Sequence, residues 1–145
     1  MKVLFDTSVL VAALIDSHPQ FPIAFPWLLK VKHGEINGYI GTHTLAELYA
    51  VLSSLPTQLK ISTTDIWRLI QQSILSVFDV IDLTKSDYRI ILQSIANYNI
   101  RGGATYDALI AQAASKAKVD KLLTFNPAHF QRLYPSLAKL IEQPV

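Results

Sequence analysis

The first sixteen residues, MKVLFDTSVLVAALID, set a carboxylate, Asp6, in the middle of a largely apolar stretch. Burying an ionised side chain costs free energy unless it is hydrogen-bonded or paired, so few folds suit such a stretch. A secretory leader is not expected, because Asp6 interrupts the greasy centre and Asp16-Ser17-His18-Pro19 offers no small-residue cleavage site. What remains is a buried strand, Lys2-Val3-Leu4-Phe5, that delivers Asp6 to the mouth of a folded domain. Thr7 or Ser8 then opens a helix through Ile15.

Half of the 145 residues are hydrophobic, enough to bury a core, and a single domain over residues 1–145 is expected. Charges and prolines break every apolar run short of the roughly 18 residues a membrane helix needs, so a soluble, cytoplasmic chain without a membrane contact is expected. The chain has no cysteine, which removes disulfides and thiolate metal sites. A net charge of +2 and a pI near 8.9 are too weak to name a nucleic-acid partner. The mean hydropathy of +0.28 leaves apolar surface for a subunit interface, a lean toward a homodimer.

Further along, Pro19, Pro22 and Pro26 read as a loop feeding a helix, PWLLKVKH, with Pro26 in its first turn and Gly34 just past its end. Gly38-Tyr39-Ile40 reads as a short strand, and Thr42 or Thr44 opens the helix TLAELYAVLSSL. Ser62 with Asp65, and Thr84 with Asp87, have the spacing of capping boxes. SVFDVIDL between them is a strand candidate, and Gly102-Gly103 precedes an Ala-rich helix, ATYDALIAQAASKAK. VDKLLTF reads as the last strand. Short apolar strands alternating with helices imply an α/β fold with a parallel sheet covered on both faces. In such sheets ligands bind beyond the carboxyl ends of the strands, where Asp6 and the turn Thr124-Phe125-Asn126 would both emerge.

Eleven acidic residues compete for a chemical role. Asp65 and Asp87 are engaged as capping partners. Asp16, Glu35 and Glu142 fall in polar or terminal stretches, while Asp79, Asp82 and Asp120 lie in or beside strands without an identifiable partner. Asp6, Glu47 and Asp107 remain. Each alone has a plain explanation: Asp6 as a helix cap, Glu47 as a surface residue beside a leucine stripe, Asp107 as a charge near a helix N-terminus. Three carboxylates in one cleft would instead raise each other's pKa unless a cation sat among them. Oxygen ligands without histidine or cysteine favour Mg2+ or Mn2+ over zinc. Spacing alone does not show that the three converge.

The segments LFDTSVLVAAL, THTLAELYAVLSSLP, GGATYDALIAQAA and KLLTFNPAHFQRL occur in the order seen in PIN-domain proteins, and the chain resembles the VapC-like toxin branch of that family. The resemblance implies a three-layer α/β/α sandwich around a short parallel sheet. It also implies a Mg2+- or Mn2+-dependent endoribonuclease, the toxin of a toxin–antitoxin pair, with RNA as substrate, a small antitoxin as partner and a homodimer as assembly. On that pattern Asp6, Glu47 and Asp107 match the family's acidic ligands, and Ser8 or Thr7 supports the first. A water activated by the ion would attack the phosphodiester and leave 5′-phosphate and 3′-hydroxyl ends. Ser8, Arg101 and Arg132 are the expected contacts to RNA.

The sequence departs from the family in its last block. Where members often carry a fourth acid, this chain has Asn126 and, just before Phe130, His129. Asn126 still counts among the expected catalytic residues, because an amide oxygen accepts a hydrogen bond, but it brings no charge. One firmly held ion is expected. His43, four residues before Glu47, and His129 read as packing or helix-end residues. The chief alternative is a catalytically weak PIN fold that binds RNA or a partner protein. A haloacid-dehalogenase phosphatase would need a second Asp two residues after Asp6, where Ser8 stands. A purely structural apolar dimer is the third reading.

Overall fold

A computed structural model describes residues 1–145 as a five-stranded, all-parallel sheet with helices on both faces, the three-layer α/β/α arrangement expected. The strands are β1 (Lys2–Phe5), β2 (Asn37–Gly41), β3 (Asp79–Ile81), β4 (Lys121–Leu123) and β5 (Ile141–Glu142). The helices are α1 (Thr7–Leu14), α2 (Phe21–Lys32), α3 (Thr42–Ser53), α4 (Thr63–Ile70), α5 (Lys85–Asn97), α6 (Ala104–Ala117) and α7 (Pro127–Leu133). Across the sheet the order is β3-β2-β1-β4-β5. The chain thus builds outward from β1 on one side, then returns to its other side with β4. That reversal creates the crevice at the carboxyl ends of β1 and β4 in which open α/β sheets bind ligands.

Because β1 is central, its apolar run is continuous rather than alternating, and Val3, Leu4 and Phe5 are all fully buried. Their side chains still alternate between faces. Val3 and Phe5 join a core with α1, α2, α3 and α4, whereas Leu4 packs with α6, α7 and Leu122 of β4. A smaller cluster, Ile91, Ile95, Ala108 and Leu109, fastens α5 to α6. Each such side chain taken fully out of water contributes about 1.5–3 kcal/mol before the entropy of ordering it. No helix is long and apolar enough to cross a membrane.

Several boundaries move from their expected places. The second helix starts at Phe21, not Pro26, because Phe21 stacks on Phe25 at 4.8 Å and Ala24 and Leu28 are buried, so one more turn gains apolar contact. Pro26 therefore sits inside α2. The amide it lacks would have bonded the Pro22 carbonyl, and both prolines are exposed, where water can serve that oxygen. Gly34 follows the end of α2 with φ +72, the left-handed geometry a glycine supplies there. The α4 helix runs on into a π-helical turn at Gln71–Leu75, and only Asp79–Ile81 of the expected third strand pairs in the sheet. VDKLLTF is not the last strand: β5 extends the sheet beyond β4, with the Thr124 amide donating to the Glu142 carbonyl at 3.0 Å.

The Thr84–Asp87 capping box is complete, with both reciprocal bonds present. The Asp87 carboxyl also takes the Lys116 ammonium at 2.8 Å, which, with the amide and hydroxyl of Thr84, holds it well below the usual carboxylate range. Ser62 caps α4, but Asp65 turns away to Arg68 at 3.0 Å, so that box is only half formed.

Gly38 leaves no room for a side chain. A β-carbon there would stand 2.7 Å from the Phe78 ring and from Val31, both buried and backed by other core side chains. Gly38→Ala is therefore expected to destabilise the fold by about 1–3 kcal/mol, measured by thermal or urea unfolding. An unchanged Tm would show that the Phe78 ring has room to yield.

Candidate active site

The site starts where β1 ends. Register places Phe5 beside Leu123, so the next residues, Asp6 and Thr124, are neighbours across the two strands, and the Asp6 amide donates to the Leu123 carbonyl at 2.9 Å. Asp6 occupies the cap position of α1 with extended backbone, but its side chain makes no cap hydrogen bond. That removes the plain explanation for its charge. The carboxylate instead accepts two hydroxyls on Oδ2, from Ser8 at 2.7 Å and Thr124 at 2.8 Å. Each hydroxyl oxygen is itself an acceptor: Ser8 Oγ takes the Phe125 amide and Thr124 Oγ1 takes the Asn126 amide. The turn after β4 is thus fastened to Asp6 through two side chains. Asp6 is 5% exposed, and burial, the largest influence, raises its pKa; the two hydroxyls oppose that rise, and the nearby charge of Glu47 adds to it.

Glu47 comes from the second turn of α3 and Asp107 from the start of α6. Both face the crevice occupied by Asp6, and the three line one open cleft of about 380 Å³ together with Thr7, Ser8 and Asn126. Burial pushes the Asp107 carboxyl up to about 6, helped by the charge of Asp6 and, less, of Glu47, while His129 at 3.8 Å works against the rise. One Glu47 oxygen meets His43 Nε2 at 2.9 Å. A larger hollow of about 580 Å³ beside Tyr98 and Arg132 carries no acidic side chain, so chemistry rather than volume selects the cleft.

Sequence reasoning did not locate His18 and Gln20, which also border the cleft, nor Thr124. The Thr124 role had no signal in a single sequence, because it arises from the pairing of β1 with β4. Arg101 and Arg132 do not line the cleft: Arg132 opens onto the hollow beside Tyr98, and both are exposed. No Lys or Arg lines it at all. The Ser8 hydroxyl proton is committed to Asp6.

The donor set suits a hard divalent cation. Its charged groups are carboxylates, flanked by hydroxyl and amide groups and the single imidazole of His18; that negative charge is not balanced by any Lys or Arg in the lining, and Thr7 Oγ1 in the cleft wall is buried without a partner. The carboxylates border the cleft without closing up, since no three acidic or histidine side chains form a ready coordination cluster. Asp6, Glu47 and Asp107 are the groups that could hold such an ion.

A PIN domain family model matches residues 3–134. Among curated proteins, Ribonuclease VapC27 of Mycobacterium tuberculosis (strain ATCC 25618 / H37Rv) is 31% identical over 115 residues, spanning 79% of this chain and 78% of that protein. Ribonuclease VapC40 of Mycobacterium tuberculosis (strain CDC 1551 / Oshkosh) is 33% identical over 119 residues, 82% of each. Among solved structures, VapBC2 from Rickettsia felis, bound to a promoter DNA fragment, superposes with a TM-score of 0.65 and 21% identity over all of both chains. At that identity the superposition speaks for the fold.

A raised pKa has a stability sign. Because the folded value of Asp107, about 6, lies above its ordinary 3.8, the native state holds the proton more tightly; its contribution is fully present below about 4 and is lost as pH rises through about 6. In chelator near neutral pH, Asp107→Asn should therefore stabilise the protein by on the order of 1–2 kcal/mol after allowing for solvent screening. The gain should shrink below about pH 4. Thermal unfolding across that range tests it, and a variant less stable than wild type at neutral pH would contradict it.

Proposed function

The chain belongs to the PIN-domain family, and on that footing we propose that it is a Mg2+- or Mn2+-dependent endoribonuclease, the toxin of a toxin–antitoxin pair. The observation that carries the reading is the gathering of Asp6, Glu47 and Asp107, from three elements far apart in sequence, around one cleft with no cationic residue in its lining. Relatives named ribonucleases supply the substrate class.

When bound, a divalent ion supplies an acidic water and shields the charge of a phosphodiester. The chain's own residues do the rest. Asp6 is held rigid by Ser8 and Thr124, which leaves the other carboxylate oxygen free of side-chain partners. Glu47 and Asp107 face it from α3 and α6. Asn126 stands at the cleft edge, where its amide can bond a water or a substrate oxygen without adding charge. With no Lys or Arg in the lining, basic residues outside the cleft hold the RNA backbone. The protein acts in the cytoplasm, and a homodimer is part of the reading. Beside α1 and α2, an apolar groove of about 490 Å³ lined by Leu14, Phe21, Phe25 and Leu28 offers the antitoxin its seat.

Asn126 in place of a fourth acid favours one second reading, a weak nuclease that works by binding RNA. One panel separates the two. The purified protein should cleave RNA with Mg2+ or Mn2+ and not in chelator, and Asp6→Asn, Glu47→Gln and Asp107→Asn should each lower the rate by at least about 100-fold with the fold intact. Full activity in chelator, or in all three variants, would contradict the nuclease assignment. Tight RNA binding without cleavage, unchanged in Asp6→Asn, would favour the binding module.

A further inference from the structure

His43 has two contacts that its position on α3 does not require. Its Nε2 lies 2.9 Å from Glu47 Oε2, one helical turn along, and its ring stacks face to face on Tyr106, with centroids 4.8 Å apart and planes within 6°. Tyr106 is the residue before Asp107. The stacked pair therefore joins the helix that carries Glu47 to the helix that carries Asp107. A carboxylate only accepts, so the shared proton sits on Nε2, and a neutral imidazole suffices. The stack fixes the plane of that ring, leaving it little freedom to swing away from Glu47. The imidazole is only 17% exposed, whereas Tyr106 is half exposed.

We propose that His43 is a positioning residue, clamped by Tyr106, that occupies one oxygen of Glu47 so that the other is presented to a divalent ion in the cleft. The inference rests on the metal-dependent reading above and deepens it. Carboxylate ligands depend on such outer hydrogen bonds for orientation, and removing them typically costs about 10–100-fold in metal affinity. Asp6 shows the same pattern, with Oδ2 taken by two hydroxyls. Glu47 accepts no hydroxyl, and His43 supplies its side-chain hydrogen bond instead.

The test is Mn2+ binding to the RNA-free protein by titration calorimetry, for wild type, His43→Leu, His43→Gln, Tyr106→Phe and Tyr106→Leu, each checked for folding by its Tm. His43→Leu should weaken Mn2+ binding about 10–100-fold. His43→Gln, which keeps a donor near Nε2, should recover most of the loss. Tyr106→Phe should match wild type, and Tyr106→Leu should fall between. In RNA cleavage the His43→Leu defect should appear as a higher Mn2+ requirement, with kcat at saturating metal largely retained. Unchanged affinity in His43→Leu would overturn the role while leaving the nuclease reading intact. Tighter binding would also overturn it, since His43 would then withhold Glu47. Equal losses in His43→Leu and His43→Gln would make the imidazole itself a ligand, again against the proposal. If wild type binds no Mn2+, both this role and the metal-dependent reading fall.

Discussion

The structure turns on a buried carboxylate held by two hydroxyls. Asp6 sits where β1 and β4 end side by side, and a charge there would be intolerable without the bonds from Ser8 and Thr124. Those bonds do more than satisfy it. Because each hydroxyl also accepts an amide of the turn after β4, the same contacts that make the charge tolerable fix the path of Phe125 and Asn126 along the cleft. Packing supplies the rest: fully buried Val3, Leu4 and Phe5 anchor β1 in the core. A side chain at its end inherits that rigidity.

Rigidity here is maintained against electrostatic cost. Asp6 and Asp107 both have raised pKa values, with burial as the leading cause; the charge of Glu47 adds to the rise at Asp6, and the charges of Asp6 and Glu47 add to it at Asp107. A fold selected for stability alone would place an amide or an apolar residue at either position. Elsewhere the chain handles an acid differently: Asp87 is nearly as buried, yet Lys116 and its helix cap hold it well below the usual range. The contrast lies within one molecule, and it separates an acid that supports the fold from acids that burden it.

Much of this was legible in the sequence, for identifiable reasons. Lys2–Phe5 announced a buried strand through an unbroken apolar run, and the Thr84–Asp87 box announced α5 through a spacing with a local mechanism. The resemblance carried Asp6, Glu47 and Asp107, since spacing could not show that residues 6, 47 and 107 meet. Three things stayed hidden. The two-residue β5 is too short to show a period, and Pro26 disguised the early start of α2, where tertiary burial of Ala24 and Leu28 outweighed a local breaker. The third, Thr124, takes its role only from strand register. His43 was visible as an i,i+4 partner of Glu47, but its stack on Tyr106 depends on how α3 meets α6.

The departure at Asn126 bears on how the proposed site would be charged. Three carboxylates outweigh one divalent ion by a single unit, so one ion nearly neutralises the cleft and a second would make it positive. A fourth acid would shift that balance toward two ions. With Asn126 in its place, the proposed site would favour one ion and would still repel a phosphodiester slightly. The lining holds no Lys or Arg to offset that repulsion. Attraction for a polyanion must then come from outside the cleft, and affinity for the substrate is separated in space from the groups proposed to act on it.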